Sequence, residues 1–281
     1  MEGYAYYNGV FAPADEIRVP LTDRALFFGD GMYDAAVGYR GRIYRYEDHM
    51  ARLLGNARRV GLPLPVSECE LREIIQKVCA ECATPFFLYV QLSRYSDERV
   101  HAYPDTERAN LLVMARKFAF PDKNSKQRLI TVNDERHTMC DVKTLCLLPA
   151  VLAAKEAERH GATEAVFHRG VRVTECAHSN IAIILRGEVV THPLSPFILP
   201  GVTRARMIAS CARLGIPVRE RAFTLPELFS ADEVIITSTT KVALAAESVD
   251  GVTVGGREPE LLSSLIGDMR AEVSAEIAYP L

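Results

Sequence analysis

Apolar positions recur with two different periods along this chain of 281 residues. Spacings of three and four residues, as in Met50, Leu53 and Ala57, predict helices with one buried face. Short apolar runs bounded by Gly, Asn and Asp predict strands joined by tight turns, and Asn8-Gly9 is the first such turn. Because both periods extend over the whole chain, the pattern predicts a protein that mixes helices and strands.

The predicted helices cover residues 47–60, 67–82, 147–160, 200–214, 225–230 and 258–277. The predicted strands cover a hairpin over 4–18 and residues 35–39, 43–46, 86–94, 111–117, 163–169, 171–175, 181–185, 189–192 and 233–237. Residues 121–126 are polar and loop-forming, which is typical of a linker. The sequence therefore predicts a smaller domain over residues 1–120 and a larger one over residues 127–281.

Composition excludes several classes of function. The net charge of -3, without runs of basic residues, argues against nucleic-acid binding. The longest apolar stretches, near residues 85–92 and 146–154, are too short to cross a bilayer. The N-terminal residues lack the pattern of a secretory signal, so we expect a cytoplasmic protein. The seven cysteines are expected to be reduced thiols, and Cys79 and Cys82 are expected to be core residues rather than metal ligands, because no second pair follows.

Lys143 is the first candidate for chemistry, because it is a single lysine among apolar residues just before the predicted helix over 147–160. The positive end of the helix dipole and the apolar neighbours both favour a neutral amine, which is the form that bonds to an aldehyde. A lysine whose stem packs and whose head reaches water is the simpler interpretation. Lys155 is expected to be solvated, and Lys241 competes with Lys143, so the local sequence leaves the choice open.

Two stretches predict sites for an anion. Gly201-Val202-Thr203 opens a helix, where free backbone N–H groups and the helix dipole attract negative charge. Ser238-Thr239-Thr240 follows a strand and adds hydroxyl donors. Arg52 would add a positive charge, although a solvated helix arginine is the simpler account of this residue alone. Neither a Walker loop nor a dinucleotide motif is present in the sequence.

Glu175 ends a predicted strand, where its carboxylate would accept a proton from a ring nitrogen. An exposed glutamate at a strand end is the simpler interpretation of the residue alone. An amine, an anion site and a carboxylate together match the needs of pyridoxal 5'-phosphate, whose aldehyde, phosphate and pyridine nitrogen each require one of them.

Six stretches in a fixed order strongly resemble the class IV (fold type IV) aminotransferases, and the resemblance covers nearly the whole chain. They are Gly29-Asp30-Gly31 with Tyr33, His49-x-x-Arg52-Leu53, Asp141-Val142-Lys143, Val173-Thr174-Glu175-x-x-x-Ser179-Asn180, Gly201-Val202-Thr203-Arg204 and Ser238-Thr239-Thr240. Each stretch alone is a weak signal, whereas the ordered series is specific.

The resemblance implies that Lys143 bonds the cofactor and carries the proton between the substrate Cα and the cofactor. It implies that Glu175 pairs with the pyridine nitrogen, and it disfavours Lys241, which falls beside the phosphate loop. The residues implied to bind the phosphate are Arg52, Val202, Thr203 and Thr239. The implied fold is α/β with two domains, an α+β N-terminal domain and an α/β C-terminal domain, and the cofactor is expected in the cleft between them.

Within the family, Arg94-x-x-x-x-Arg99-Val100-His101 looks like the corresponding loop of bacterial D-amino acid transaminases. In those enzymes the Arg-x-His pair reaches in from the partner subunit and joins a tyrosine to hold the substrate α-carboxylate, a group that suits a guanidinium. The positions implied to bind the substrate here are Tyr33, Arg99, His101 and Thr240. The resemblance therefore implies a homodimer that transaminates between a D-amino acid, such as D-alanine or D-glutamate, and a 2-oxo acid such as 2-oxoglutarate.

Three positions depart from the family pattern and bear on substrate range. Cys146 stands where relatives often carry Asn or a small residue, Val37 replaces a lysine of D-amino acid transaminases, and Val242 stands where an acidic residue is frequent. A branched-chain L-amino acid aminotransferase and an aminodeoxychorismate lyase remain alternatives that use the same cofactor residues. A non-catalytic protein of this fold is a further alternative, against which the intact set of Lys143, Glu175 and Arg52 argues.

Overall fold

The computed structural model describes residues 3–103 and 108–281. Its strands are β1 (Gly3–Tyr7), β2 (Val10–Pro13), β3 (Gly31–Tyr39), β4 (Arg42–Ile43), β5 (Phe86–Arg94), β6 (Ala109–Lys117), β7 (Gln127–Asn133), β8 (Glu164–Arg169), β9 (Arg172–Cys176), β10 (Asn180–Leu185), β11 (Glu188–Thr191), β12 (Val218–Glu220), β13 (Glu233–Ser238), β14 (Val242–Val249) and β15 (Val252–Thr253). Its helices are α1 (Arg24–Phe28), α2 (Tyr46–Arg59), α3 (Glu68–Ala80), α4 (Leu148–Arg159), α5 (Val202–Leu214), α6 (Leu225–Phe229) and α7 (Pro259–Ile277). These elements confirm the predicted α/β class.

The chain divides into two compact units, and neither unit is continuous in sequence. The first unit holds Met1–Ala119, Val142–Cys146 and Ala275–Pro280. The second unit holds Phe120–Asp141, Leu147–Ser274 and Leu281. The short segment around Lys143 therefore belongs to the first unit, although both of its flanks belong to the second. The linker expected over residues 121–126 stays a prediction.

An antiparallel sheet of six strands forms the first unit, in the order β2-β1-β6-β5-β3-β4. Helices α2 and α3 pack on this sheet and bury an apolar core. Leu53 of α2 lies in that core, as its helical spacing predicts, and Val142 joins the core from the segment around Lys143. Ser67 and Glu70 exchange hydrogen bonds at the start of α3 and so form a capping box, for which the spacing of a serine and a glutamate three residues later is the sequence signal.

A mixed sheet of nine strands forms the second unit, in the order β12-β11-β10-β13-β14-β7-β8-β9, with β15 paired to β14. Strand β7 runs parallel to β8 and β14, and β11 runs parallel to β12, whereas the other pairs are antiparallel. In the middle of the sheet, Asn180 at the start of β10 pairs with Thr237 near the end of β13. This register brings Asn180, at the start of β10, close to the Ser/Thr cluster that follows Thr237 at the end of β13.

The sequence pattern predicts the helices better than it predicts the strands. The helix expected over residues 147–160 is α4, and Gly161 beyond its end adopts a φ of +66°, which suits a helix C-terminus. Strand β14 is not predicted, because its sequence Val-Ala-Leu-Ala-Ala-Glu-Ser-Val is rich in alanine, the residue with the highest helix propensity. Pairing with β13 and β7 overrides that local preference.

Candidate active site

Strand β3 places two neighbouring side chains on opposite faces of the first unit's sheet. Tyr33 and Asp34 are consecutive, and consecutive strand residues point to opposite sides. Asp34 is 1% exposed, whereas Tyr33 is half-buried. One face of the strand thus holds Asp34, which pairs with Arg52, and the other face holds Tyr33, which contacts Lys143.

The backbone around Lys143 is fixed to the start of β3. Tyr33 donates its N–H to the Lys143 carbonyl at 3.0 Å, and Leu145 donates its N–H to the Gly31 carbonyl at 3.1 Å. Helix α4 begins only at Leu148, so Lys143 lies outside the first helical turn, where the dipole acts. The expected effect of the helix dipole on the amine is therefore wrong, and strand pairing determines the position of Lys143 instead.

The Lys143 side chain contacts a pair of stacked tyrosines. Its Nζ donates to the Tyr33 hydroxyl at 3.2 Å and lies 4.2 Å from the Tyr33 ring centroid. Tyr33 stacks on Tyr89, with ring centroids 5.2 Å apart, and the Tyr89 hydroxyl donates to Oε1 of Gln91 at 2.7 Å. Burial raises the pKa of Tyr89, so its hydroxyl stays protonated and continues to donate. These contacts orient the Tyr33 hydroxyl toward the lysine amine.

Arg52 is largely shielded from solvent and pairs with the buried Asp34, so it is not a solvated helix arginine. Its Nε donates to Oδ2 of Asp34 and its Nη2 donates to Oδ1, both at 2.8 Å. His49, on the same face of α2, places Nδ1 2.7 Å from Oδ1 of Asp34. Burial alone would raise the pKa of the Asp34 carboxyl, but the charge of Arg52 and the hydrogen bonds from Arg52 and His49 hold it well below its ordinary value. The spacing His49-x-x-Arg52 therefore serves to clamp one buried carboxylate.

Replacing Asp34 with asparagine is expected to lower the free energy of unfolding at neutral pH by about 3–5 kcal/mol, because Arg52 would remain buried without its charged partner. Since folding lowers the pKa of Asp34, the carboxylate contributes fully above the ordinary Asp pKa of about 4, and this contribution is lost as the pH falls toward the folded-state pKa. Urea unfolding at neutral pH and near pH 3 measures both effects. The difference in the free energy of unfolding between wild type and Asp34→Asn should be smaller near pH 3 than at neutral pH.

Asp48 on the same helix offers a matched control. It pairs with Arg45, but its side chain is 42% exposed. Asp48→Asn is therefore expected to change the free energy of unfolding by less than about 1 kcal/mol. Similar losses from both variants would show that the pair between Arg52 and Asp34 is no stronger than a surface pair.

Glu175 is buried in the second unit, with 5% exposure, so the interpretation as an exposed strand end is wrong. Its Oε1 accepts a hydrogen bond from Nη1 of Arg136 at 2.5 Å. Its Oε2 accepts from Nδ2 of Asn180 at 2.9 Å and from the Leu199 N–H at 3.0 Å. Three donors, one of them a guanidinium, favour the ionised form of this buried carboxylate.

Arg136 is a functional candidate that sequence spacing does not reveal. Its Nε and Nη2 donate to the two oxygens of Asp134 at 2.8 and 3.0 Å, and Nη2 also donates to the Phe197 carbonyl at 3.1 Å. Burial would lower the pKa of Arg136, but Asp134 and Glu175 raise it well above its ordinary value. A fixed positive charge therefore stays beside Glu175. Because the two residues are 39 positions apart, only the folded sheet shows that they pair.

The start of α5 forms a backbone cradle, by which we mean the N–H groups of Val202 and Thr203 behind Gly201. The N-cap residue of this helix is Gly201, which has no side chain that could cap it. A Cβ added at Gly201 would lie 1.9 Å from Oδ1 of Asn180, so only glycine fits there. Because Asn180 also donates to Glu175, it connects the backbone cradle to the carboxylate.

The Ser/Thr cluster, Ser238-Thr239-Thr240, lies beside Asn180, because the end of β13 pairs with the start of β10. Ser238 Oγ and Thr240 Oγ1 are 3.4 Å apart, and Thr239 and Thr240 are half-buried. Their hydroxyl groups are donors suited to an anion. The second unit therefore places hydroxyl donors, backbone N–H groups and the Glu175 carboxylate at one edge.

Lys241 forms a buried ion pair and does not resemble a reactive amine. Its Nζ donates to Oε2 of Glu164 at 2.9 Å, and Glu164 is fully buried. Val242 follows with a φ of +59°, a conformation that is strained for a β-branched residue and that shapes the loop after β13. Engagement with Glu164 favours Lys143 over Lys241 as the residue that bonds a cofactor.

Arg99 and His101 are exposed in the first unit, in the loop over residues 95–103. Both lie against the ring of Phe28, with Cζ of Arg99 5.3 Å and the ring centroid of His101 5.1 Å from its centroid. Their approach to a substrate in a partner subunit stays a prediction. Residues 104–107 lie outside the described part of the chain.

Each unit holds part of the constellation that the sequence predicts. In the first unit, an amine lies beside a phenol hydroxyl, a combination suited to bonding an aldehyde and moving a proton. In the second unit, an ionised carboxylate and a helix start are suited to a protonated ring nitrogen and a phosphate. The roles of the individual residues stay predictions.

Within residues 3–103 and 108–281, no helix combines the length and the apolar character that crossing a bilayer requires. The same residues contain no group of three or more His, Cys, Asp or Glu side chains placed to hold a metal ion.

Comparison with known proteins identifies the relatives of this chain. The family model "Amino-transferase class IV" matches residues 31–249. A D-alanine aminotransferase of Listeria monocytogenes serotype 4b (strain F2365) is 38% identical over 261 residues, which cover 90% of each chain. Among solved structures, the branched-chain aminotransferase of Thermoproteus uzoniensis with norvaline is 26% identical, with a TM-score of 0.87 over 98% of this chain and 96% of that one. The branched-chain amino acid aminotransferase from Escherichia coli is 23% identical, with a TM-score of 0.85 over 100% of this chain and 96% of that one, and shows the fold alone.

Proposed function

The chain belongs to the class IV aminotransferases, and on that premise we propose that it uses pyridoxal 5'-phosphate to transfer the amino group of a D-amino acid to a 2-oxo acid. The family and the enzyme class expected from the sequence are confirmed. The D-alanine aminotransferases that match most of the chain support a D-amino acid as the donor. We expect D-alanine or D-glutamate as donor and 2-oxoglutarate as acceptor.

The observation that carries the proposal is the ion pair between Glu175 and Arg136. A carboxylate that stays ionised is the partner that a protonated pyridine nitrogen needs, and a neutral side chain would not serve. Asn180 and Leu199 fix the second oxygen, so the carboxylate is both charged and oriented. The chain therefore has a residue suited to the ring nitrogen of the cofactor, Glu175, in addition to an amine suited to its aldehyde, Lys143.

The residues present fit pyridoxal phosphate in each of its three chemical parts. When bound, this cofactor supplies an aldehyde for amine groups and a ring that withdraws electrons from the substrate Cα–H bond. We assign Lys143 to the aldehyde and Glu175 to the ring nitrogen. The residues assigned to the phosphate are Arg52, Val202, Thr203 and Thr239. The backbone cradle at Val202 and Thr203 fits this assignment, because its N–H groups start a helix whose N-cap residue, Gly201, has no side chain to cap it.

Lys143 moves the proton in this proposal. Its Nζ takes the proton from the substrate Cα and returns it at the other end of the reacting system, which requires an amine held in one place. The pairing of its backbone with β3 and the Tyr33 hydroxyl 3.2 Å from Nζ provide that fixed position. In the first half of the reaction the donor would lose its amino group and gain a carbonyl oxygen from water. In the second half the acceptor 2-oxo acid would gain the amino group and release its carbonyl oxygen as water, so that the net reaction neither consumes nor produces water.

The substrate α-carboxylate is assigned to donors from two segments. Tyr33, Arg99 and His101 would bind its oxygens, and Thr240 would add a hydroxyl. By resemblance, Arg99 and His101 serve the site of a partner subunit, so we propose that the enzyme acts as a homodimer. The cytoplasmic location expected from the sequence stays a prediction.

The test is a comparison of D-alanine and L-leucine with the protein loaded with pyridoxal phosphate. We expect D-alanine to convert the visible absorption band of the bound cofactor to that of its amine form, and L-leucine to leave it unchanged. The solved structures with this fold include branched-chain aminotransferases, so conversion by L-leucine alone would replace the proposal with that activity. Pyruvate release from aminodeoxychorismate without an amino acceptor would instead indicate the lyase.

A further inference from the structure

Two arginines and a histidine lie against the ring of Phe28, the last residue of α1. Besides Arg99 and His101, Cζ of Arg24 lies 4.7 Å from its centroid. Arg24 and Phe28 belong to the same short helix, whereas Arg99 and His101 belong to the loop over residues 95–103, which we name the trap loop. The trap loop thus packs on one defined surface of α1.

The side chain of Arg24 binds the trap loop by hydrogen bonds to backbone carbonyls of the loop. Its Nη1 donates to the Val100 carbonyl at 2.6 Å, and its Nη2 donates to the His101 carbonyl at 3.1 Å. The two carbonyls are consecutive and lie within the Arg99-Val100-His101 segment. A rigid guanidinium fork that binds two consecutive carbonyls fixes the peptide between them. Arg24 is only 2% exposed, so the contact is a built part of the unit rather than a surface encounter.

Asp30 holds Arg24 in place and joins it to a second buried arginine. Its Oδ2 accepts from Nε of Arg24 at 2.8 Å, and both of its oxygens lie 3.1 Å from Nε of Arg94. Arg94 is 5% exposed, and its Cζ lies 3.7 Å from the ring centroid of Tyr103, at the far end of the trap loop. The cluster therefore contacts the trap loop both at Val100–His101 and at Tyr103.

The same cluster adjoins the lysine segment. Asp30 precedes Gly31, whose carbonyl accepts the Leu145 N–H two residues after Lys143. A Cβ at Gly31 would lie 2.6 Å from the Leu92 carbonyl oxygen and 2.8 Å from Cδ1 of Leu145, so the approach depends on glycine. Gly29-Asp30-Gly31 therefore supports the lysine segment through Gly31 and the trap loop through Asp30.

We propose that Arg24, held by Asp30, is a positioning residue for the substrate α-carboxylate, acting through the trap loop that presents Arg99 and His101. The inference rests on the proposed function, which assigns those two residues to the carboxylate. A purely stabilising role would be met by the ion pair with Asp30 alone. Arg24 additionally directs both terminal nitrogens to the carbonyls of the segment that carries the two predicted carboxylate ligands.

The experiment is a double-mutant cycle between Arg24→Gln and Arg99→Ala, with KM and kcat measured for D-alanine and 2-oxoglutarate. We expect each single variant to raise KM for both substrates by about tenfold, because a misplaced group loses carboxylate binding. The double variant should raise KM little beyond Arg99→Ala alone, because Arg24 acts through Arg99. Loss of folded protein alone would lower the apparent kcat and leave KM unchanged. A change in KM therefore distinguishes a positioning role of Arg24 from a purely stabilising one.

Two further variants control for folding and for charge. Arg24→Lys keeps the pairing with Asp30 but cannot span both carbonyls, and it should raise KM by an intermediate amount even if Arg24→Gln fails to fold. Arg116→Gln is the matched control, because Arg116 also contacts a phenylalanine ring, that of Phe87, and a carbonyl, that of Lys117. It should leave KM unchanged.

The outcomes separate the inference from the proposed function. If Arg99→Ala raises KM and the Arg24 variants do not, or if the effects of Arg24 and Arg99 multiply in the double variant, the positioning role of Arg24 is overturned and the proposed function stands. If Arg99→Ala leaves KM unchanged, or wild type does not turn over D-alanine, the assignment of the carboxylate site fails first and the inference fails with it.

Discussion

Lys143→Ala is expected to lower turnover by at least about 10³-fold, because it removes both the amine that bonds the cofactor and the base that moves the Cα proton. The loss should not reflect unfolding. The backbone contacts of this segment with Tyr33 and Gly31 involve main-chain atoms and survive truncation of the side chain. Turnover of D-alanine with 2-oxoglutarate measures the effect, and thermal unfolding checks the fold.

Covalent attachment provides a second measurement of the same variant. Borohydride reduction of the protein with pyridoxal phosphate, followed by peptide mass analysis, should place the cofactor on Lys143 in wild type and on no lysine in Lys143→Ala. Lys155→Ala is the control, because Lys155 is exposed on α4, where it pairs with the exposed Glu158. Attachment to Lys241, or normal turnover without Lys143, would sink the assignment.

Glu175→Gln is expected to lower kcat by about 10²–10³-fold, the range seen when one electrostatic partner of a reacting system is removed. Glutamine retains the size of the side chain and can still accept a hydrogen bond from Arg136, but it carries no negative charge. A protonated ring nitrogen beside it would lose its counter-ion and face the positive charge of Arg136, which lies 2.5 Å from Oε1 of Glu175. The cofactor would therefore bind as a poorer electron sink, and its absorption band should shift with the loss of activity.

Glu233→Gln distinguishes this electrostatic effect from the loss of any buried carboxylate. Glu233 is 3% exposed in the same unit and accepts the backbone N–H groups of Gly256 and Glu258. We expect its variant to change stability without shifting the absorption band. Equal values of kcat for Glu175→Gln and wild type would mean that Glu175 supports the fold and not the ring nitrogen.

The sequence predicts those parts of the fold that local chemistry determines. The helical spacing of α2 and the capping box of α3 act within a few residues, so both are visible without a structure. Strand β14 is different, because its identity depends on β7 and β13, which lie elsewhere in the chain. Local propensity cannot report a preference that pairing creates.

The candidate site divides in the same way. Lys143 and Glu175 stand out by residue type and by their place in an ordered series of motifs. Asp34, Arg136 and Arg24 do not, because each acts through a partner that the fold brings near. A general signal does exist for Asp34, since a carboxylate on the buried face of a strand requires a cationic partner.

The path of the chain through its two units has a consequence for synthesis on the ribosome. Val142 fills part of the first unit's core, and Tyr279 lies 5.0 Å from Tyr39 by ring centroids. Residues 3–119 therefore emerge well before the segments that complete their own unit. All six strands of the sheet are made by residue 117, but the core of the first unit lacks Val142, and Tyr39 lacks Tyr279, until those later segments emerge. The first unit is therefore completed only after most of the chain has been synthesised, and the segment with the predicted reactive lysine joins it before the C-terminal segment does.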